Sequence, residues 1–348
     1  MKKTKILFLA LFAVLAIIAC RKDDPNNNNT GGGGTGGGGT GGGGQQGEAI
    51  TSLDGFLQSQ KQAKIQNLTA QGGQYTVLTG AQGTKITIQA NSFLLNGVTV
   101  SGPVDIELIE AYDKGSILAM GLNTMGRDQF GNYGAMVSGG EFFFRASSNG
   151  QQVDINPSSP VEFSTAPFPD ADFNNAMLPL FLEQDTSVTG DSVWVPIDTS
   201  TGGGTIYNCR DSVMINLGQS TYCFQIGDNS RWINCDYFRN WGTALTNVTI
   251  NLPATHNFNN TKVYLSFDGL NAITGLRDNG GGEFFVGGSY QPPVGQAVHL
   301  VVISEQNGVL VHNIQPLTLT SNHTTTLSST DITPITTAAL QTALSSLP

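Results

Sequence analysis

The hydrophobic pattern changes character several times along the chain. Behind Lys2, Lys3 and Lys5, the stretch Ile6 to Ala19 is almost wholly apolar. Its fourteen residues fall short of the roughly 20 that a membrane-spanning helix needs. They fit the hydrophobic region of a secretory signal covering residues 1–19. Residues 20–47 then carry almost no apolar side chain: an asparagine run leads into three four-glycine blocks set off by Thr30, Thr35 and Thr40. Such a stretch has nothing to bury and is expected to stay a random coil, with a mean reach of about 25–30 Å for some 25 residues. From Ser52 to Leu68, a capping serine precedes Leu53, Phe56, Leu57, Ala63 and Leu68 at roughly helical spacing, which predicts one helix.

From Tyr75 the period drops to two. Lys85-Ile86-Thr87-Ile88, Val104-Asp105-Ile106-Glu107-Leu108 and Glu141-Phe142-Phe143-Phe144-Arg145 read as short strands separated by Gly/Asn/Ser turns. Val161-Glu162-Phe163, Leu178 to Leu182 and Val193-Trp194-Val195 close a first domain, 48–200, and Thr201-Gly202-Gly203-Gly204 reads as a hinge. A second domain, 205–348, has strand candidates at Ser212 to Leu217, Tyr222 to Ile226, Val248 to Leu252, Lys262 to Phe267, Phe284 to Val286, Ala297 to Ser304 and Val309 to Ile314. The last two are joined through Asn307-Gly308, a strong hairpin signal. Thr333-Pro334 is expected to open a closing helix that docks Leu340 and Leu344 on the second domain. The expected fold is therefore mainly β: two β-sandwich-like domains with a short helix at each end.

Composition narrows the function. Only 12% of the 348 residues are charged, about half the usual share, as in many extracellular β proteins. A formal net charge of -10 argues against nucleic acid or anionic lipid as a partner, since both need a basic surface. No catalytic residue, metal site or cofactor motif stands out. There is no G-x-S-x-G elbow and no H-E-x-x-H; His299 and His312 fall on neighbouring strands of one predicted hairpin and are the nearest thing to a metal pair. Asp170-Ala171-Asp172 and Asp185-x-Ser187-x-Thr189-Gly190 begin like calcium loops but lack the acid at position 12. Trp232, Tyr237 and Trp241 crowd one region beside Asn234, Asp236 and Arg239. An aromatic platform with polar neighbours suits a glycan; core packing under a loop is the commoner use of such rings.

Ile17-Ile18-Ala19-Cys20 resembles a bacterial lipobox, which implies cleavage before Cys20 and acylation of that residue by diacylglycerol and palmitate-like chains. Two or more chains give stable anchoring where one does not. Lys22, Asp23 and Asp24 resemble the short export signal of Bacteroidota-type surface lipoproteins, implying the outward face of the outer membrane. Gly83 to Phe93, Gly102 to Glu110 and Ser138-Gly139-Gly140 resemble the first domain of an uncharacterised two-domain β family of such lipoproteins, and remotely a ZU5-type β-sandwich. Trp232-Ile233-Asn234-Cys235-Asp236-Tyr237-Phe238 resembles the W-x-N-C-D-x-F signature of the same group. ZU5 relatives that cleave themselves use a His-Phe-Ser site, and the first domain has no histidine. Asp191-Ser192-Val193 and Asp211-Ser212-Val213 resemble Bacteroidota O-glycosylation sites at Ser192 and Ser212; a polar turn feeding a strand is the plain alternative.

With Cys20 acylated, Cys209, Cys223 and Cys235 remain. Val213 to Leu217 and the turn at Gly218-Gln219-Ser220 would fold back as a hairpin and bring Cys209 to Cys223, with Cys235 a buried free thiol; Cys223 with Cys235 is the competing pair. The expectation is a surface lipoprotein held by membrane lipid through Cys20, a non-catalytic binding or structural module whose partner is a glycan or another envelope protein. A component of a polysaccharide-capture system and a surface glycosidase are the alternatives.

Overall fold

Strand Tyr133–Ser148, sixteen residues long, is the spine of the fold. Phe142, Phe144 and Ala146 alternate onto one face and are fully buried, as the two-residue period of a strand requires. The computed structural model describes residues 47–128, 130–166, 177–184, 192–196, 221–227 and 231–348, which fall within one compact unit from Gly44 to Pro348.

The spine sits in a sheet ordered Gln66–Gln71, Pro103–Ala111, Tyr133–Ser148, Arg231–Phe238, Leu178–Gln184, Ser192–Pro196 and Met125–Arg127. Met125–Arg127 also pairs back onto Tyr133–Ser148, so the last five of these strands close into a small ring. Trp194, Met136 and Leu180 fill it, and the Trp194 indole donates to the Asn123 carbonyl at 2.6 Å. A second sheet, Cys223–Ile226, Val161–Ser164, Lys85–Ile88 and Thr76–Thr79, packs on the Phe142/Phe144 face. Phe163 and Phe224 stack there at 5.5 Å with an 8° tilt between planes. The C-terminal half repeats the arrangement. Ile273–Gly275, Thr261–Phe267, Ala297–Gln306, Val309–Thr318 and Thr333–Pro334 form one sheet. Arg277–Gly280, Glu283–Val286, Val248–Asn251 and His323–Thr326 form the other. Leu265, Phe267, Leu300 and Val302 meet Val248, Ile250 and Phe284 between them. Gln306 pairs directly with Val309, and Asn307 (φ 54°) and Gly308 (φ 78°) make the tight turn expected of Asn-Gly.

The chain is mainly β and sandwich-like, but the boundary expected at 200–205 is not where the sheets divide. Cys223–Ile226 pairs with Val161–Ser164, and Arg231–Phe238 lies between Tyr133–Ser148 and Leu178–Gln184. Both belong to the first sandwich, because Phe224, Ile226, Ile233 and Cys235 complete its core. Alternation reveals a strand but not the sheet it joins. The predicted helix over Ser52 to Leu68 also stops early. Helix Leu53–Ala63 is capped by Ser52, whose Oγ accepts from Gly55 N at 3.0 Å, and Gln66–Gln71 is a strand against Pro103–Ala111. Thr333–Pro334 is a short strand beside Val311 and His312, and the closing helix is Thr337–Ser345, capped by Thr336. A middle helix, Lys114–Ala119, capped by Asp113, was not anticipated.

The three helices and both halves share one apolar cluster. Leu53 and Phe56 meet Ile117 and Met120, Val301 and Ile303 from the second half, and Leu340 and Leu344 from the closing helix. The closing helix thus docks on this shared cluster, not on the second half alone. The Lys114 ammonium ties them together by donating to the Phe267 carbonyl at 2.8 Å and to a main-chain oxygen of Pro348. The helices touch at Gly115, where a Cβ would lie 2.8 Å from the Leu344 carbonyl oxygen and 2.9 Å from the Ser345 Cα. Helix propensity alone favours Ala over Gly by about 1 kcal/mol. Gly115→Ala is nonetheless expected to destabilise by about 1–3 kcal/mol, because rigid backbone must move aside. A lowered urea midpoint with unchanged slope checks it; a raised midpoint contradicts the close packing.

Candidate functional site

Three cations from distant parts of the chain line one cleft. Lys61 lies in the last turn of helix Leu53–Ala63, next to Gln60 on the buried face set by Leu53, Phe56 and Leu57. Its ammonium is 5.8 Å from the centre of the Trp232 ring. Burial pushes its pKa down, Lys262 adds to that, and Glu141 and Asp54 oppose it. Lys262 is the half-buried second residue of strand Thr261–Phe267, with its ammonium 5.9 Å from the Phe258 ring. Arg277 opens strand Arg277–Gly280, with its guanidinium 5.4 Å from the Tyr290 ring. These cations line a cavity of about 130 Å³ together with Asn123, Ser192 and Tyr264.

Each cation rests near an aromatic ring, an attractive contact of modest strength. The ion pairs among the described residues lie elsewhere: Arg127 with Glu183 at 3.6 Å, Arg145 with Glu107, and His299 with Asp268 at 2.8 Å. Lys61, Lys262 and Arg277 have no carboxylate within 4.0 Å among the described residues.

Near the cleft lies a buried acidic layer. Cys235 and Ile233 face the first core, so Asn234 and Asp236 occupy the opposite face of that strand. Register places Asn234 beside Glu141 and Asp236 beside Ser138, with a bulge between Asn234 and Asp236. The Ser138-Gly139-Gly140 and W-x-N-C-D segments therefore meet. Ser138 Oγ donates to Asn234 Oδ1 at 3.1 Å, and Asn234 Nδ2 donates to Asp236 Oδ2 at 2.6 Å. Burial pushes the Asp236 pKa up to about 7 against the pull of Ser138, Asn234 and the Gly139 amide. Burial, and then Asp236, hold Glu141 well above the usual carboxylate range, with Lys61 opposing. Neither Glu141 oxygen has a hydrogen-bond partner among the described residues.

The three aromatic residues expected to form a glycan platform are separated. All are half-buried. Trp232 packs on Phe143 at 5.6 Å. Tyr237 lies against the first core, its hydroxyl accepting from Arg239 at 3.3 Å. Trp241 stacks on Phe267 at 5.1 Å in the second half, with Arg239 5.6 Å from its ring. An odd number of strand positions divides Trp232 from Tyr237, so they point to opposite faces. Trp241 borders a shallow depression of about 300 Å³ with Tyr133, Arg239, Asn240 and Gln291.

Cys223 is disulfide-bonded and Cys235 is free and buried, which removes the Cys223–Cys235 pairing. Burial and Asp236 push the Cys235 thiol well up. Ser192 is exposed and lines the cleft. Cys20, Lys22, Asp23, Asp24, Cys209, Ser212 and both calcium-like segments lie outside the described residues. His299 is registered with Pro316 and His312 with Ile303, so the two histidines do not face each other. His299 Nδ1 bonds Asp268, and His312 Nδ1 is 3.2 Å from the Thr333 carbonyl. Among the described residues no three His, Cys, Asp or Glu groups cluster as metal ligands, and no helix is long and apolar enough to cross a membrane. Sequence reasoning missed Lys61, Lys262 and Arg277, since no local motif joins them. No protein-family model matches the chain, and no curated protein matches it.

Proposed function

We propose that this chain is a lipid-anchored, outward-facing protein of the outer membrane whose folded part is a non-catalytic binding module. The anchor reading rests on Ile17-Ile18-Ala19-Cys20 and on Lys22, Asp23 and Asp24. The binding reading rests on the cleft, where cations from two parts of the fold converge without carboxylate partners. A glycosidase needs two carboxyl groups flanking an accessible bond. Glu141 and Asp236 are each fully covered, a poor arrangement for that chemistry. Glycan binding on an aromatic platform draws less support, because Trp232, Tyr237 and Trp241 belong to different packing clusters.

Cys20→Ser is expected to abolish labelling by a palmitate analogue and to move the protein out of the detergent phase, or to leave an uncleaved precursor. Mature, lipid-labelled Cys20→Ser protein would overturn the anchor. Replacing Lys22, Asp23 and Asp24 with Ala is expected to keep the label but protect the protein from protease added to intact cells. Unchanged shaving would remove the outward-facing claim.

A further inference from the structure

We infer that the cleft lined by Lys61, Lys262 and Arg277 holds a tetrahedral oxyanion, a phosphate or sulfate group, carried on the ligand. This rests on the binding reading above and names the chemistry that the site takes.

The charges argue first. Lys262 lies close enough to Lys61 to help push its pKa down, and Arg277 lines the same cavity. Like charges held together in a partly desolvated space are unfavourable unless an opposite charge sits among them. The described residues place no carboxylate within 4.0 Å of any of the three. Asp54 and Glu141 act on Lys61 only from beyond 4.0 Å, and burial outweighs their pull on its pKa.

The donor set argues second. Two ammonium groups act as compact point charges, and a guanidinium presents a planar fork suited to two oxygens of a phosphate or sulfate. The three come from a helix end, a strand interior and a strand start, and all line the one cavity. That arrangement suits a compact, multiply charged group better than an extended polyanion. The aromatic contacts at Trp232, Phe258 and Tyr290 restrict the cation stems, so less freedom is lost on binding.

Size argues third. The cavity of about 130 Å³ is close to the roughly 150 Å³ of an engineered cavity that takes up benzene. It has room for a tetrahedral oxyanion, and exposed Ser192 on its lining leaves it open to solvent.

The test uses the detergent-solubilised full chain at fixed ionic strength, with chloride as reference. Inorganic phosphate, inorganic sulfate, glucose 6-phosphate and glucose 6-sulfate are titrated by calorimetry, and melting is followed in parallel. Saturable binding by at least one of these is expected, with a raised melting temperature. Lys61→Met, Lys262→Met and Arg277→Met are each expected to weaken it about tenfold, and the triple variant to abolish it. Lys64→Met, at an exposed position one turn-end away, leaves binding unchanged. In phosphate- and sulfate-free buffer the triple variant is expected to melt no lower than the parent, since it loses repulsion; that separates a lost site from a lost fold. Stronger binding of the sugar esters than of the free ions identifies a conjugated ligand, and equal binding identifies the free ion; both support the site. No saturable binding beyond chloride, or binding that survives in the folded triple variant, overturns the inference. Lipid labelling of Cys20 is read separately, so a chain that is labelled but binds no oxyanion leaves the anchor reading standing.

Discussion

Asp236→Asn is expected to gain stability relative to the parent by about 4 kcal/mol as the pH rises from 4 to 8. In the folded protein burial pushes the Asp236 pKa from an ordinary 3.8 up to about 7. The unfolded chain releases that proton near pH 4. Between these values the folded state binds more protons than the unfolded state, so stability falls as pH rises. The contribution is fully present below about pH 4 and has been lost by about pH 7. A difference of about 3 units at about 1.4 kcal/mol each gives the figure, and full burial of the carboxyl group means solvent does not screen it. Glu141 shifts in the same direction and adds to the slope. His256 and His323 act in the opposite direction: burial lowers their pKa values, so their contribution is lost as pH falls below about 6.5. Comparing variant with parent cancels the histidines. Asn preserves the size of the side chain and an oxygen that accepts from Asn234. Urea unfolding at pH 4, 6 and 8 measures the difference. A gap that stays constant across the three pH values would mean that Asp236 is ionised throughout and the buried layer is wetter than its geometry indicates.

The sequence made strands legible wherever one face of a sheet is buried. Lys85–Ile88 and the hairpin through Asn307-Gly308 lie where alternation and turn chemistry place them. The reading erred where two periods overlap. Leu68 continues the helical spacing from Leu53, yet it lies on strand Gln66–Gln71, paired with Ile106. Pairing with Pro103–Ala111 outweighed local propensity, as tertiary contacts often do. Arg231–Phe238 was visible as a motif but not as a strand, and its sheet is set by residues nearly a hundred positions earlier. The cleft was illegible for the same reason: Lys61, Lys262 and Arg277 are each unremarkable locally; Lys262 and Arg277 come from the two sheets of the second half, and the docking of helix Leu53–Ala63 adds Lys61. The segments singled out by resemblance are placed chiefly in packing. Ser138 and Asn234 join across strands, and Glu110, at the end of the Gly102 to Glu110 series, is the clearest case.

Glu110→Ala is expected to lower stability by about 3–5 kcal/mol. The Glu110 side chain is almost fully buried at the end of strand Pro103–Ala111. Its Oε1 accepts from the Thr84 amide at 2.9 Å, and Oε2 accepts from the Gln82 amide at 2.9 Å and from Gln66 Nε2 at 2.8 Å. One carboxylate therefore fastens the turn before strand Lys85–Ile88, in the second sheet, to the first sheet. Gly80 allows this approach, since a Cβ there would lie 2.5 Å from Glu110 Oε2. Tyr112 reinforces the join: its hydroxyl is 2.7 Å from Thr84 Oγ1 and accepts from the Ala166 amide at 2.7 Å. Removing the carboxylate strands the buried Thr84 amide, at about 1–3 kcal/mol, gives up the bonds from the Gln82 amide and Gln66, and leaves a cavity besides. Glu110→Gln keeps the volume but turns one acceptor into a donor facing an N–H, so it is expected to recover less than half of the loss. Glu107→Ala is the control, three positions earlier on the same strand. Its ion pair with Arg145 is partly exposed, and its loss is expected to cost about 1 kcal/mol or less. Urea unfolding of the three variants ranks them. If Glu110→Ala and Glu107→Ala unfold alike, the buried carboxylate is not what holds the two sheets of the first sandwich in register.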